Sequence, residues 1–268
     1  MTSFSPVYTG INGQLLVVAG VLGLAIGSFL NVVIYRLPQG WKVFFSSAFS
    51  RCPSCLTTIH WYDNIPVLSF LLLRGRCRAC GSRISVQYPL VESCMGAITV
   101  LLFFRFGPSP YFFSYLAFFF VLLAVSVIDL QRMEIPDSLV VFGMTCGIGF
   151  SLVTPFPGWT NAMAGLVFGT TIPLILVTSY EALVKKTVMG GGDIKLIGMI
   201  GAFLGWQPLG AVLFYSSLTG IMAAVGLMAT GRSSRIPFAP FLFIGTICAL
   251  MVPDLEPYRL FSCFFTRK

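Results

Sequence analysis

Asp129 and Asp193 stand at the edges of long apolar runs, in a chain of 268 residues with only nine acidic side chains. A carboxylate facing lipid at a bilayer boundary is unfavourable by a few kcal/mol, so such groups face a bundle interior or a water cavity and mark a pathway or a reacting centre. Two carboxyls at comparable depth point to a pair. Side by side they cannot both ionise readily, so one serves as base and the other as acid. A second reactive cluster lies upstream, where Cys52-Pro-Ser-Cys55 and Cys77-Arg-Ala-Cys80 are separated by twenty-one residues. Each C-x2-C pair can place two thiolates on one tight turn. Four thiolates at ~2.3 Å complete a tetrahedral zinc site with no open position, which makes such a site structural. The alternative is two disulfides, which would suit an oxidising compartment.

The surroundings of each carboxylate allow a structural role as well. Asp129 ends an apolar segment in Ser126-Val-Ile-Asp129-Leu-Gln-Arg-Met-Glu134-Ile-Pro136-Asp137. Pro136 and Asp137 read as a helix entry, with Asp137 available as the cap, and Glu134 as a solvated loop charge. Asp193 follows the run Met189-Gly190-Gly-Gly192. That run lets backbone approach closely and then presents a carboxylate at a helix start, where an N-cap is the structural reading.

The elements that must hold these groups are set by composition. With 56% hydrophobic and 10% charged residues, 26 Phe and a mean hydropathy of +0.89, the chain has too little polar surface for a soluble protein. The reading is an all-α polytopic membrane protein. About eight apolar segments are long enough, or nearly so, to cross ~30 Å of hydrocarbon. They lie near Ile11 to Tyr35, Tyr88 to Phe106, Tyr111 to Ile128, Ser138 to Val153, Ala162 to Ala182, Ile194 to Trp206, Leu209 to Ala229 and Phe238 to Val252. The sixth is the shortest and least regular. Residues 1–35 are expected to form a first, retained transmembrane helix, 36–87 a tetracysteine zinc domain, and 88–268 a membrane-embedded core.

Basic residues set the orientation. Arg36, Lys42, Arg51, Arg74, Arg76, Arg78 and Arg83 share a side with Arg132, Lys185, Lys186, Lys195, Arg232 and Arg235, against Arg105, Arg259, Arg267 and Lys268 opposite. The positive-inside rule then puts the cysteine loop and both aspartates at the cytoplasmic face. A cytoplasmic loop favours zinc over disulfides, and a loop with few apolar clusters needs such a staple. The net charge of +8 is accounted for by these loops, so no nucleic-acid partner is expected.

Other features read as structural. Cys94, Cys146, Cys248 and Cys263 sit in or beside apolar spans as packing residues. His60, the single histidine, is beside a cysteine set that is already complete. Small-residue spacings at Gly23/Gly27, Gly143/Gly147, Gly165/Gly169 and Gly201/Gly205 are expected to let helices approach, and Asn31 to fasten one helix to another.

Taken together, these pieces resemble the type IV prepilin leader peptidases, membrane aspartic proteases of pilus assembly and type II secretion. The likeness runs through Gly27-Ser-Phe-Leu-Asn31-Val-Val-Ile-Tyr-Arg36-Leu-Pro38, the cysteine tetrad, Trp61-Tyr-Asp63-Asn64-Ile-Pro66, Tyr88-Pro-Leu-Val-Glu92, the block from Ile128 to Asp137, and G-x-G-D at Gly190 to Asp193. The resemblance implies that Asp129 and Asp193 are the catalytic aspartates of an enzyme in the bacterial cytoplasmic (inner) membrane. Its substrates would be prepilins or pseudopilins with a basic leader in the cytoplasm and an apolar helix in membrane lipid. It also implies methylation of the new N-terminus from S-adenosylmethionine, an activity associated with the cysteine-bearing loop region.

The chain departs from the family pattern in places. Ala239 in Ile236-Pro-Phe-Ala239-Pro240 stands where glycine is usual, and the interval from Pro38 to Cys52 is short. No glycine-rich dinucleotide-type fingerprint is present, so methyl transfer rests on the resemblance alone. Glu92 and Asp63 are candidates near that activity, or else a helix-start carboxylate and a turn residue. Two other classes stay open: a transporter with the aspartates in a polar pathway, and a zinc-stapled membrane scaffold.

Overall fold

Long apolar runs in this chain become helices, and proline or left-handed residues end several of them. A computed structural model describes residues 12–45, 50–185, 189–229 and 236–251. Ile11, Lys186, Arg232, Arg235, Val252, Arg259, Cys263, Arg267 and Lys268, which entered the span, charge and cysteine assignments, lie outside them. The described helices are α1 (Gly13–Arg36), α2 (Trp41–Phe44), α3 (Leu68–Leu72), α4 (Gln87–Phe106), α5 (Pro110–Arg132), α6 (Asp137–Ser151), α7 (Trp159–Val184), α8 (Gly191–Leu204), α9 (Leu209–Ala229) and α10 (Ala239–Met251). Short 3-10 turns cover Leu37–Gln39 and Trp61–Asn64. Among the described residues there is no β-strand, only isolated bridges joining Arg51 to Thr58 and Arg76 to Arg83.

Five helices, α1, α4, α5, α7 and α9, are long and apolar enough to cross a membrane. The other three apolar segments are the shorter helices α6, α8 and α10. At 14 residues α8 rises roughly 21 Å, short of the ~30 Å hydrocarbon layer. Ile194 and every residue from Leu196 to Leu204 are buried, so α8 is enclosed by protein. A helix with no lipid-facing side need not match the bilayer thickness, and hydropathy length reads it poorly.

The chain divides into two compact units, one ending at Phe120 and one beginning at Val121, so α5 crosses the division. In the first unit α1 lies along α4. Gly23 and Gly27 make the crossing close: a Cβ on Gly27 would sit 2.7 Å from Glu92 Cα, and one on Gly23 would sit 2.9 Å from Gly96 Cα. Asn31, one turn further along α1, is buried and donates its amide to the Tyr88 carbonyl at 3.2 Å, fastening the same seam.

In the second unit α7 and α6 pack on α8, and α10 packs on α9. Gly165 of α7 and Gly201 of α8 meet so closely that a Cβ on either would strike the other's backbone. Gly143 and Gly147 face Met199 and Ala202 of α8 in the same manner. This is the small-residue packing that helices use where lipid supplies no hydrophobic drive between them. Gly205 joins the same approach, since a Cβ on Gly165 would sit 2.7 Å from its carbonyl carbon, and it also ends α8, with φ +81° and its N–H on the Gly201 carbonyl at 2.8 Å.

Candidate functional site

Asp129 lies in the last turn of α5, which closes with the Met133 N–H on the Asp129 carbonyl at 2.8 Å and Met133 at φ +54°. A carboxylate is disfavoured at a helix C-terminus by the partial negative charge there. The start of α10 offsets this. The Ala239 N–H donates to the Asp129 carboxylate at 3.0 Å, and the Phe238 N–H also reaches it. Asp129 is 5% exposed, so these donors replace water that it has lost. The Ser126 hydroxyl, one turn earlier, lies 2.7 Å from the Leu122 carbonyl and 3.2 Å from that of Ala239, tying α5 to the same turn.

Asp193 occupies the third position of α8, and Gly190 is the N-cap. The expectation of an N-cap aspartate is thereby corrected: the carboxylate reaches back to the Gly190 backbone N–H, the reciprocal half of a capping box. Gly192 brings this helix start close to the loop after α5, since a Cβ there would sit 2.8 Å from Ile135 Cβ. The result is that Asp129 and Asp193 are near enough for their charges to interact. Asp137 also departs from its expected role. It makes no capping bond, because Pro136 is the N-cap of α6, and instead takes Lys195 Nζ at 2.8 Å. That pair is exposed and adds at most ~1 kcal/mol. Glu134 is exposed in the loop, as expected.

The donors at Phe238 and Ala239 were missed by sequence reasoning about site chemistry. A signal for them was present. Pro237 and Pro240 bracket the two residues, and prolines at a helix start leave the intervening N–H groups free to serve an anion. Ala239 itself is fully buried, so the methyl that replaces the family's usual glycine is accommodated here.

The cysteine loop between α1 and α4 is built from one motif used twice. In Arg51-Cys-Pro-Ser-Cys-Leu-Thr-Thr58, Cys52 N–H bonds the Thr57 carbonyl at 3.0 Å and Leu56 N–H bonds the Cys52 carbonyl at 2.9 Å. In Arg76-Cys-Arg-Ala-Cys-Gly-Ser-Arg83 the matching bonds join Cys77 to Ser82 at 2.8 Å and Gly81 to Cys77 at 2.9 Å. The residue after each second cysteine is left-handed, Leu56 at φ +60° and Gly81 at φ +69°. The four Sγ atoms all lie within 4.8 Å of one another, and every one is a free thiol. Cys52 and Cys80 sulphurs are 3.9 Å apart. That is nearly twice a disulfide bond but matches the ~3.8 Å edge of a tetrahedron with ~2.3 Å metal–sulphur bonds. Backbone N–H groups of Cys55 and Ser54 pull the Cys52 thiol down to about 6 and the Ser82 hydroxyl lowers Cys80, so these two positions favour the thiolate, whereas the Cys77 thiol is raised.

Because Leu56 is 70% exposed and holds a conformation that disfavours side chains, Leu56→Gly should remove strain while losing little packing. Greater freedom of glycine in the unfolded chain offsets part of the gain, leaving about 1 kcal/mol or less. Slower loss of ordered loop structure on titration with a chelator would register it, and faster loss would contradict it.

Asp63 and Glu92 both turn out to hold the loop. Arg78, inside the second cysteine turn, donates to Asp63 at 2.7, 2.9 and 3.1 Å and keeps its carboxyl below the usual range. Glu92 of α4 is buried and accepts the Val67 N–H at 2.8 Å. Val67 is at φ +59°, and the Leu68 N–H bonds the Pro66 carbonyl at 2.5 Å across it, a three-residue turn that a β-branched residue adopts only under strain. Glu92 thus pins a strained turn of the loop to a membrane-type helix. His60 stacks on Tyr62 at 5.1 Å and is not among the clustered ligands.

Comparison with known proteins agrees across both units. Residues 21–106 match the bacterial peptidase A24 N-terminal domain, and residues 116–225 match the type IV leader peptidase family. A prepilin leader peptidase/N-methyltransferase of Neisseria gonorrhoeae is 37% identical to this chain, covering 84% of it and 86% of the relative. One from Aeromonas hydrophila is 37% identical, covering 87% and 89% respectively. One from Burkholderia pseudomallei (strain 1026b) is 34% identical, covering 93% and 88%. No solved structure matches the chain.

Proposed function

The chain belongs to the type IV leader peptidase family, and from that premise we propose that Asp129 and Asp193 form the aspartate pair with which it cuts leaders from prepilins or pseudopilins. It then methylates the N-terminus so exposed, as the names of its relatives imply. The single observation that carries the site assignment is that the start of α8, which bears Asp193, lies against the loop that follows Asp129, a Cβ on Gly192 falling 2.8 Å from Ile135 Cβ.

The cleavage mechanism follows from what holds each carboxyl. Asp129 is fixed by the N–H groups of Phe238 and Ala239, and Asp193 by that of Gly190. Two such carboxyls share a proton and titrate as a unit. The ionised member takes a proton from water as the water attacks the scissile carbonyl, while the protonated member hydrogen-bonds that carbonyl oxygen. A tetrahedral intermediate forms without a covalent bond to the enzyme. On collapse, the proton held by the first carboxyl passes to the leaving amine. Burial strengthens each of these interactions by excluding competing water.

Cys52, Cys55, Cys77 and Cys80 fit a structural zinc ion, which would hold the loop together and supply no reaction chemistry. Metal analysis of the purified protein should give one zinc per chain. Chelation should release it together with four modifiable thiols, and a metal-free protein with an ordered loop would refute the assignment. S-adenosylmethionine is the proposed methyl donor. Glu92 of α4 accepts the Val67 N–H and a hydrogen bond from the Ser28 side chain.

The distribution of Lys and Arg supports an inner-membrane protein of about eight spans, with the three short helices completing the five long ones and the cysteine loop and both aspartates facing the cytoplasm. The corresponding organisation is 1–35 as first helix, 36–87 as zinc loop and 88–268 as peptidase core. Membrane lipid and prepilin are then its partners.

Intact-mass analysis of a prepilin co-expressed with the enzyme tests this function. A shortened product carrying an added methyl mass is expected. Persistent full-length precursor with several prepilins, from a folded enzyme, would favour a transporter or scaffold.

A further inference from the structure

Beside Asp129 the second unit has a groove of about 430 Å³, within the ~300–1,000 Å³ range of ligand sites. One wall is the face of α9 bearing Ser217, Gly220, Ile221 and Ala224, and the other is Pro237, Phe238 and Phe241 at the start of α10. Its chemistry is specific in two respects. Among the described residues no charged side chain lines it, and the α9 wall repeats small residues at helical spacing, the surface against which another helix packs closely. It also shares a residue with the proposed reaction centre. Phe238 lines the groove, and its own N–H and that of the next residue, Ala239, hold the Asp129 carboxylate.

We propose that this α9/α10 groove seats the first turns of the substrate's apolar helix and thereby presents the adjoining peptide bond to Asp129. The proposal rests on the peptidase reading, which requires the bond to lie where a polar leader meets an apolar helix. A groove that runs along an apolar helix pair and is lined by Phe238, whose N–H holds the catalytic carboxylate, meets that requirement. An acyl chain or a second copy of this chain would fit the apolar lining, but neither has reason to be registered against Asp129. Filling the groove should therefore weaken substrate binding more than turnover.

The test places a photo-crosslinking amino acid at Ala224 or Ile221, with a control at Leu176 of α7, which is as exposed as Ile221 (65% and 62%). Membranes containing the co-expressed precursor are irradiated, and the adducts are identified by mass. Crosslinks from both groove positions to the first residues of the substrate's apolar helix are expected, with none from Leu176. In parallel, Ala224→Leu should raise KM for the precursor about tenfold with kcat changed less than twofold. Adducts only to lipid or to a second enzyme copy, or equal substrate labelling from Leu176, would overturn the groove assignment. So would an unchanged KM in a folded Ala224→Leu enzyme. Cleavage by the unmodified enzyme in the same membranes separates the two ideas. If it cleaves but the groove does not label, the groove fails alone, and if it does not cleave any prepilin, the peptidase reading fails first.

Discussion

Asp129→Asn and Asp193→Asn are each expected to lower prepilin cleavage by at least ~10³-fold, within the range that a positioned acid or base supplies. Each substitution keeps the side-chain shape and one acceptor oxygen. An amide at position 129 could still receive the Ala239 N–H, and one at position 193 could still accept from Gly190, so the helix ends should remain in place. What is lost is the ability to take or give a proton. Unfolding temperatures within a few degrees of wild type would separate chemistry from folding. Cleavage within tenfold of wild type in either variant would remove that residue from the mechanism.

Gly201→Leu is expected to be the most disruptive single change outside the carboxyls. Its Cβ would land on the backbone of Gly165, which cannot rotate aside as a side chain can. Helices α7 and α8 must then separate, with a loss of about 3 kcal/mol or more, the upper end of overpacking effects. Since α8 carries Asp193, cleavage should fall along with stability. Gly210→Ala serves as the comparison, because a Cβ there meets nothing within 4 Å. That variant should unfold at or slightly above the wild-type temperature. A Gly201→Leu protein as stable as wild type would mean that the crossing is looser than described.

Much of this architecture was legible because apolar runs, glycine spacings and cysteine spacings each have a direct physical reading. Asp129 and Asp193 stood out as carboxyls at membrane depth, and the tetrad stood out as ligands with metal spacing. The unread parts depend on tertiary contact. Nothing local distinguishes an Asp137 that caps its helix from one that pairs with Lys195 on another element. Nor does hydropathy reveal that α8 is enclosed, since a short apolar helix reads alike whether lipid or protein surrounds it. The two N–H donors on Asp129 come from more than a hundred residues away, and their prolines signal a helix start without saying which anion it meets. The doubled cysteine turn was readable in principle. Its equivalence of Leu56 with Gly81 shows only in the backbone, because leucine at that position disguises the left-handed residue.

The claim that two carboxyls act as one catalytic unit is tested most directly by cleavage rates of wild type, Asp129→Asn, Asp193→Asn and the double variant, measured on one prepilin by intact mass. Groups that work together lose nearly everything when either is removed, so the double variant should be no slower than the worse single one. If instead one single variant retains most of the wild-type rate, or the two losses multiply in the double variant, the carboxyls act separately and the paired mechanism is wrong.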